Sequence, residues 1–281
     1  MRSVKSLIAA GAASLLSSTA FAADMPIASP PMYAPPVVED FGGWYLRGDI
    51  GFSNQRVEKR EYYSYPNLLS LSQNNAFDAA GIFGVGVGYR FNNWFRADIT
   101  GQYRGNANFH GIDRISYPDT GTVQFGADNF SASKSEWLVL ANAYVDLGTW
   151  WCVTPFIGAG VGMSRNTITN FTDQGTNGTF LFGTTPSFAS AASASKWDFA
   201  WALHTGLAYS VSPNMTFELG CSYVNLGDGM TGELVTKDGF GAGQNHVMTF
   251  KNITSHDLKF GVRWDLSSPS VYAPPPLVRK G

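Results

Sequence analysis

Four histidines, two cysteines and a thin scatter of arginines and carboxylates are the residues from which this chain could build chemistry. His204 is the only histidine on an alternating segment, while His110, His246 and His256 fall in connections or at a strand start. No second His, Cys or carboxylate stands at ligand spacing, so neither a metal nor a cofactor is expected. Cys152 and Cys221 have no neighbouring base and no CxxC partner, which argues against a catalytic thiol. In an exported chain they could form a disulfide, provided their Cα atoms lie within about 7 Å. The runs Gly84-Val-Gly86-Val-Gly88 and Gly158-Ala-Gly160-Val-Gly162 look like phosphate cradles. Both sit inside period-two segments with no helix following, so nucleotide binding is not expected and the glycines read as space for large side chains from other strands.

The elements that would position these residues are eight segments with alternating faces. The first, Trp44 to Ser53, sets Trp44, Leu46, Ile50 and Phe52 against Arg47 and Asp49. The second, Ala80 to Phe91, sets Phe83, Val85, Val87, Tyr89 and Phe91 against glycines and Arg90. The third opposes Phe95, Ala97, Ile99 and Tyr103 to Arg96, Asp98, Thr100, Gln102 and Arg104. In Trp137 to Met163 two runs flank a Gly-Thr-Trp-Trp turn: Trp137, Val139, Ala141, Ala143, Val145 and Leu147 oppose Glu136, Asn142, Tyr144 and Asp146. The sixth, Lys196 to Val211, sets Trp197, Phe199, Trp201, Leu203, Leu207 and Tyr209 against Asp198 and His204. The seventh places Phe217, Leu219, Cys221 and Tyr223 opposite Glu218. The eighth ends at Leu266, with Leu258, Phe260, Val262 and Trp264 opposite Asp257, Lys259, Arg263 and Asp265. None of these apolar faces carries Asp, Glu, Lys or Arg, as lipid demands, because a Lys or Arg facing the bilayer midplane costs about 2–4 kcal/mol.

The opposite faces hold sparse charge of both signs, which reads as a paired barrel interior. Arg47, Arg90, Arg96, Asp146, Glu218, Arg263 and Asp265 gather toward one end, with Asp49, Asp98, Asn142 and His204 nearer the middle. Arg104, Glu136, Asp198, Asp257 and Lys259 lie toward the other end.

Compartment follows from the first residues. MRSVKSLIAAGAASLLSSTAFAA has a basic start, an apolar middle and Ala20-Phe21-Ala22, the pattern of a signal peptide over residues 1–22. Removing Arg2 and Lys5 takes 19 basic residues to 17 against 21 acidic ones, and the formal charge from −2 to −4. That balance speaks against nucleic-acid binding. No later run reaches the ~18 apolar residues of a membrane helix. Proline-rich stretches at 23–42 and 267–281 repeat Tyr-Ala-Pro-Pro and read as extended tails flanking a barrel at 43–266.

Connections after the second, fourth and sixth segments are short, and the others are long and rich in Gly, Asn and Ser. Short periplasmic turns alternating with long outer loops put both tails in the periplasm. Trp44, Tyr89, Phe91, Phe95, Tyr209 and Trp264 then form an inner aromatic girdle, with Tyr103, Trp137, Trp197 and Tyr223 at the outer one.

The blocks NAYVDLG, TPFIGAGVG, YVNLGDG at Tyr223 to Gly229, SHDLKFGVRW at Ser255 to Trp264 and GGWYLRGDIGFSNQ after the proline-rich leader resemble the opacity-type, porin-family outer-membrane β-barrel proteins of alphaproteobacteria. The resemblance implies an all-β, eight-stranded antiparallel up-and-down barrel in the cell outer membrane, serving as a surface antigen, a membrane-structuring protein or a minor porin. Such barrels usually end on an aromatic, whereas here Leu266 holds that place and a tail follows, which bears on how the barrel-assembly machinery reads it. Two roles stay open: a structural, surface-interacting barrel with a filled interior, or a narrow diffusion channel for small ions or solutes. The long connections, among them the charged, Tyr-rich EKREYYSYP, would carry contacts with lipopolysaccharide, a host surface or a phage. Enzymatic activity is not expected, since a lipid-modifying Ser-His-acid set at the outer leaflet would need a histidine on the lipid face.

Overall fold

The alternation described above closes into a ring. In the computed structural model, which describes residues 42–62, 67–179, 183–237 and 246–266, all regular structure is antiparallel strand. The strands are β1 (Gly43–Glu61), β2 (Ser70–Phe77), β3 (Ala80–Arg90), β4 (Phe95–Asp119), β5 (Thr122–Asp146), β6 (Val153–Thr179), β7 (Gly183–Ala191), β8 (Ala194–Ser212), β9 (Met215–Asn225), β10 (Gly229–Thr236) and β11 (Val247–Asp265). Eight of them run β1-β3-β4-β5-β6-β8-β9-β11, and β11 pairs back onto β1 from Tyr45↔Asp265 to Glu61↔Thr249. The expected signal peptide, the leader up to residue 41 and the C-terminal tail lie outside the described residues.

One end carries the short turns. In the β3–β4 turn Asn92 Oδ1 accepts from the backbone N–H groups of Trp94 (3.0 Å) and Phe95 (2.7 Å), a side chain mimicking the missing backbone bond. The β5–β6 turn holds Trp151 and Cys152 at φ 51° and 68°, with a lone bridge between Trp150 and Val153. Both cysteines are free and exposed, so the disulfide left open by the sequence does not form.

The other end departs from the sequence reading. Its long connections are themselves largely ladder: β4 and β5 pair out to Asp119↔Thr122, β6 leaves β8 to pair with β7, β7 pairs with β10, and β2 lies on β4. The pattern is hidden by β-bulges, where one extra residue flips every later side chain to the other face. Register shifts fall between Arg104 and Ala107 on β4 and beside Asn170 on β6, and both Asn170 (φ 54°) and Asn252 (φ 50°) adopt the left-handed conformation that Asn tolerates.

Burial is inverted relative to a water-soluble protein. Around the ring Val85 (70% exposed), Ile99 (60%) and Phe260 (44%) face outward, whereas Arg96 and Arg104 are 0% exposed inside. An apolar cluster, including Phe109, Phe130, Phe171, Met248, Phe250 and Ile253, fills the interior toward the long-strand end.

Candidate functional site

The interior is stacked in three zones along the barrel axis. At the short-turn end, Arg96 of β4 reaches Asp146 (3.2 Å) beside it and Glu218 of β9 (3.3 Å) across the ring. Arg263 reaches the same Glu218 at 2.6 Å. Arg47 binds Asp49 (2.8 Å), Asp98 (2.9 Å) and Glu218 (3.4 Å) and donates to the Tyr144 hydroxyl at 3.1 Å. The Arg96 guanidinium lies 4.3 Å over the Tyr144 ring and 5.0 Å over Phe156. Glycine gaps create this room: a Cβ on Gly88 would stand 2.2 Å from Tyr45, and one on Gly158 2.4 Å from Tyr144.

His204 sits above this layer, buried between Ser222 Oγ (2.8 Å from Nδ1) and Asn142 Oδ1 (3.1 Å from Nε2). The Asn142 amide nitrogen donates to Asp98 (2.8 Å), so its oxygen must accept from His204 Nε2–H, and Nδ1 accepts from Ser222. That bonding makes His204 a brace between β5, β8 and β9.

The middle zone is built around Arg104. It grips Asp257 of β11 with two bonds (2.9 and 2.6 Å) and lies 3.1 Å from Glu136 of β5. Lys134 pairs with Glu136 and donates to Gln55 Oε1 of β1 at 2.9 Å, and Ser53, Gln55 and Ser255 complete the set. The two cations and two carboxylates are fully buried or nearly so and equal in number. Two charge-assisted bonds to one carboxylate fix the Arg104 guanidinium in place, and Glu136 stands beside its Nε as an ion-pair contact without hydrogen-bond geometry.

The third zone is the apolar cluster, with one ion pair inside it. Arg60 is bound to Asp113, donates its Nε–H to Asn75 Oδ1 at 2.6 Å, and stacks 4.3 Å over Phe130. Tyr62 donates to Asp113 at 2.8 Å. Gln73 stitches the unpaired edge of β2 to β1 by bonding both the N–H (3.3 Å) and the C=O (3.2 Å) of Arg60. Asp128 stands directly opposite Asp113 in the ladder, and burial first, then the Asp113 charge, pushes its carboxyl up to about 6.

Several residues expected inside are placed elsewhere or differently. Asp198 sits at the rim, bonded to Lys196 (3.0 Å) and to the Asp228 N–H (2.9 Å), apart from the zones within. Arg90 is half-open at the mouth, 3.7 Å from Asp265. Lys259 is buried but makes no hydrogen bond or ion pair with any described residue. It lines a cavity of about 20 Å³ with Arg47, Asp49, His204 and Glu218, room for about one water. Lys134, Gln55, Tyr45, Arg60 and Asp113 escaped the sequence reading. Lys134 and Tyr45 had the right parity for the interior; Asp113 lies past the β4 bulge that reverses it, and Arg60 past the break in alternation at Glu58 and Lys59, both of which are exposed.

Of the aromatic residues, Trp44, Tyr89 and Phe91 stack in series at the short-turn end (5.4 and 5.1 Å), and Phe95 follows at 5.4 Å from Phe91. Tyr209 and Trp264 are exposed at the same end. At the other rim Tyr103 meets Trp137 at 5.0 Å, Tyr223 meets Trp201 at 5.6 Å, and Trp197 is exposed. One expectation is overturned: a histidine does stand on the outward face. Because β11 begins at Val247, His256 falls mid-strand, 5.2 Å from the Tyr223 ring. It makes no hydrogen bond to a serine or a carboxylate among the described residues.

A model of the outer membrane protein beta-barrel domain matches residues 8–265. An uncharacterized protein of Brucella abortus is 29% identical over 274 residues, covering 88% of this chain and 93% of that one. A Rickettsia canadensis protein described as a candidate adhesin is 28% identical over 265 residues, covering 92% and 98%. The crystal structure of neisserial surface protein A aligns over 79% of this chain and 96% of its own, with 18% identity and a TM-score of 0.39. With the family model spanning the whole ring and the burial inverted as lipid requires, the chain belongs to the outer membrane protein beta-barrel domain family and resides in the cell outer membrane.

Proposed function

We propose that this barrel is a closed structural and surface-interaction protein whose interior carries no solute. The observation behind this reading is the middle zone: Arg104, Glu136, Lys134 and Asp257 cross the lumen between β4, β5 and β11 in buried ion pairs, with an apolar cluster stacked outside them. A water-filled path would need these pairs to part, and separating a buried pair costs about 3–5 kcal/mol. The long walls of β4, β5 and β6 raise a polar surface beyond the membrane, suited to contacts with a host or phage surface. The adhesin description of the Rickettsia relative points the same way. Biogenesis would pass through the barrel-assembly machinery, and enzymatic turnover forms no part of this reading.

Planar-bilayer recording of the purified, heat-modifiable protein tests it. No conductance steps are expected at high protein loading; reproducible steps would establish the narrow-channel alternative.

A further inference from the structure

On the outward wall, Trp137 of β5, Arg165 of β6 and Trp197 of β8 stand directly opposite one another in consecutive ladders, and Tyr103 of β4 extends the row beyond Trp137. Directly opposed side chains lie about 4.5–5.5 Å apart at Cβ, so the arginine stem rises from the wall between two tryptophans. The row directly below is Val139, Met163 and Phe199, all exposed and apolar. The row directly above is Ser135, Thr167 and Ser195, with Thr167 Oγ1 2.9 Å from Ser195 Oγ. Arg165 therefore marks the level at which the lipid-facing belt gives way to a polar wall on the outer side.

Among the described residues Arg165 has no counter-ion. Its same-face neighbours are two tryptophans, three apolar side chains and three hydroxyls, none of them acidic, and it makes no hydrogen bond or ion pair with any described residue. The interior treats its arginines differently: Arg47, Arg60, Arg96, Arg104 and Arg263 each have a carboxylate. An unpaired guanidinium at this depth keeps the apolar part of its stem along the wall and turns its head to the interface. The interfacial groups that complement its planar fork are phosphate oxygens, which it binds two at a time.

We infer that Tyr103, Trp137, Arg165 and Trp197, with the Thr167 and Ser195 hydroxyls above them, form a binding site for the phosphorylated headgroup of an outer-leaflet glycolipid. Arg165 takes the phosphate, the hydroxyls take sugar oxygens, and the indoles frame the junction with the acyl chains. The inference rests on the outer-membrane placement and not on the closed interior, so a conducting barrel would leave it standing.

Native mass spectrometry of the folded, detergent-solubilised protein with added bisphosphorylated lipid A tests it, using dephosphorylated lipid A and inorganic phosphate as separate arms. Wild type should hold the phosphorylated lipid about tenfold more tightly than the dephosphorylated one, equivalent to about 1.4 kcal/mol. Arg165→Gln should erase that preference, Arg165→Lys should keep part of it, and Arg56→Gln on the outward face of β1 should leave it intact. Boiled and unboiled samples on a gel show that each variant is folded. Equal binding of the two lipids by wild type, or an undiminished preference in Arg165→Gln, overturns the inference. Displacement of the lipid by inorganic phosphate at equal concentration overturns it too, by making the site one for free anions.

Discussion

Arg104 lies between two buried carboxylates, and the consequences of removing it follow from charge balance. Arg104→Met strands Asp257 and leaves Glu136 with Lys134 alone. The expected loss is about 3–5 kcal/mol, read as a lower temperature at which the folded, fast-migrating form converts on a gel. Adding Asp257→Leu restores equal numbers of cations and carboxylates in the zone, so the double variant should recover most of that loss; two penalties that simply add would show that the pair is not coupled. A titration belongs to the outer end. The Asp128 carboxyl is held up to about 6, by burial and by Asp113, against 3.8 unfolded. The folded form thus keeps a proton that the unfolded form has already lost, so stability at this end is greatest below about pH 4 and falls as pH rises through about 6. Asp128→Asn should remove that slope and stabilise the β4–β5 tip at neutral pH by on the order of 1–2 kcal/mol, after allowing for its partial exposure. Amide exchange protection of residues in β4 and β5 at pH about 4 and about 7.5 would show it; an unchanged slope in the variant would refute the assignment.

The strands within the bilayer are legible because lipid enforces the pattern. Every outward residue from Trp44 to Phe52 or from Phe95 to Tyr103 must be apolar or small, so period two survives in the sequence. Beyond the rim water bathes the outer face, and the bulges near Ala107 and Asn170 reverse parity, so stretches such as TNFTDQGTNGT read as loop although they pair. Which arginine meets which carboxylate was likewise hidden, because Arg104 and Asp257 are 153 residues apart and meet only through the stagger of the closed ring. The glycine-rich strands test how far packing dictates element choice. Gly158→Val on β6 would drive side-chain atoms into the Tyr144 ring and cost about 1–3 kcal/mol. Tyr144→Ala in the same chain should recover part of this by vacating the space, even though it loses the stacking on Arg96. A conversion temperature that the second change lowers further would show that the glycine serves some purpose other than room.

For the whole molecule, two environments divide the barrel into parts held together differently. Within the membrane, closure and paired charges suffice, because hydrocarbon cannot solvate an open edge. Outside it, the wall is held like a small soluble domain, by Phe109, Phe130, Phe171 and Phe250 packed against one another. This division makes the outer hairpin separable. Excising residues 112–129 and joining Gly111 to Phe130 through a two-residue Asn-Gly turn keeps every β4–β5 pair from Phe95↔Val145 to Gly111↔Phe130. It also removes Asp113, so Arg60 must become Met to avoid a stranded buried charge. The shortened protein should still shift on boiling and resist carbonate extraction, since its membrane ring is untouched, while the surface contacts proposed above, read as adhesion of cells displaying it, fall to the level of cells without it. Loss of the heat shift would mean that the outer core is needed to close the ring. Undiminished adhesion would move the contact surface away from the β4–β5 tip, to the wall formed by β6, β7 and β10.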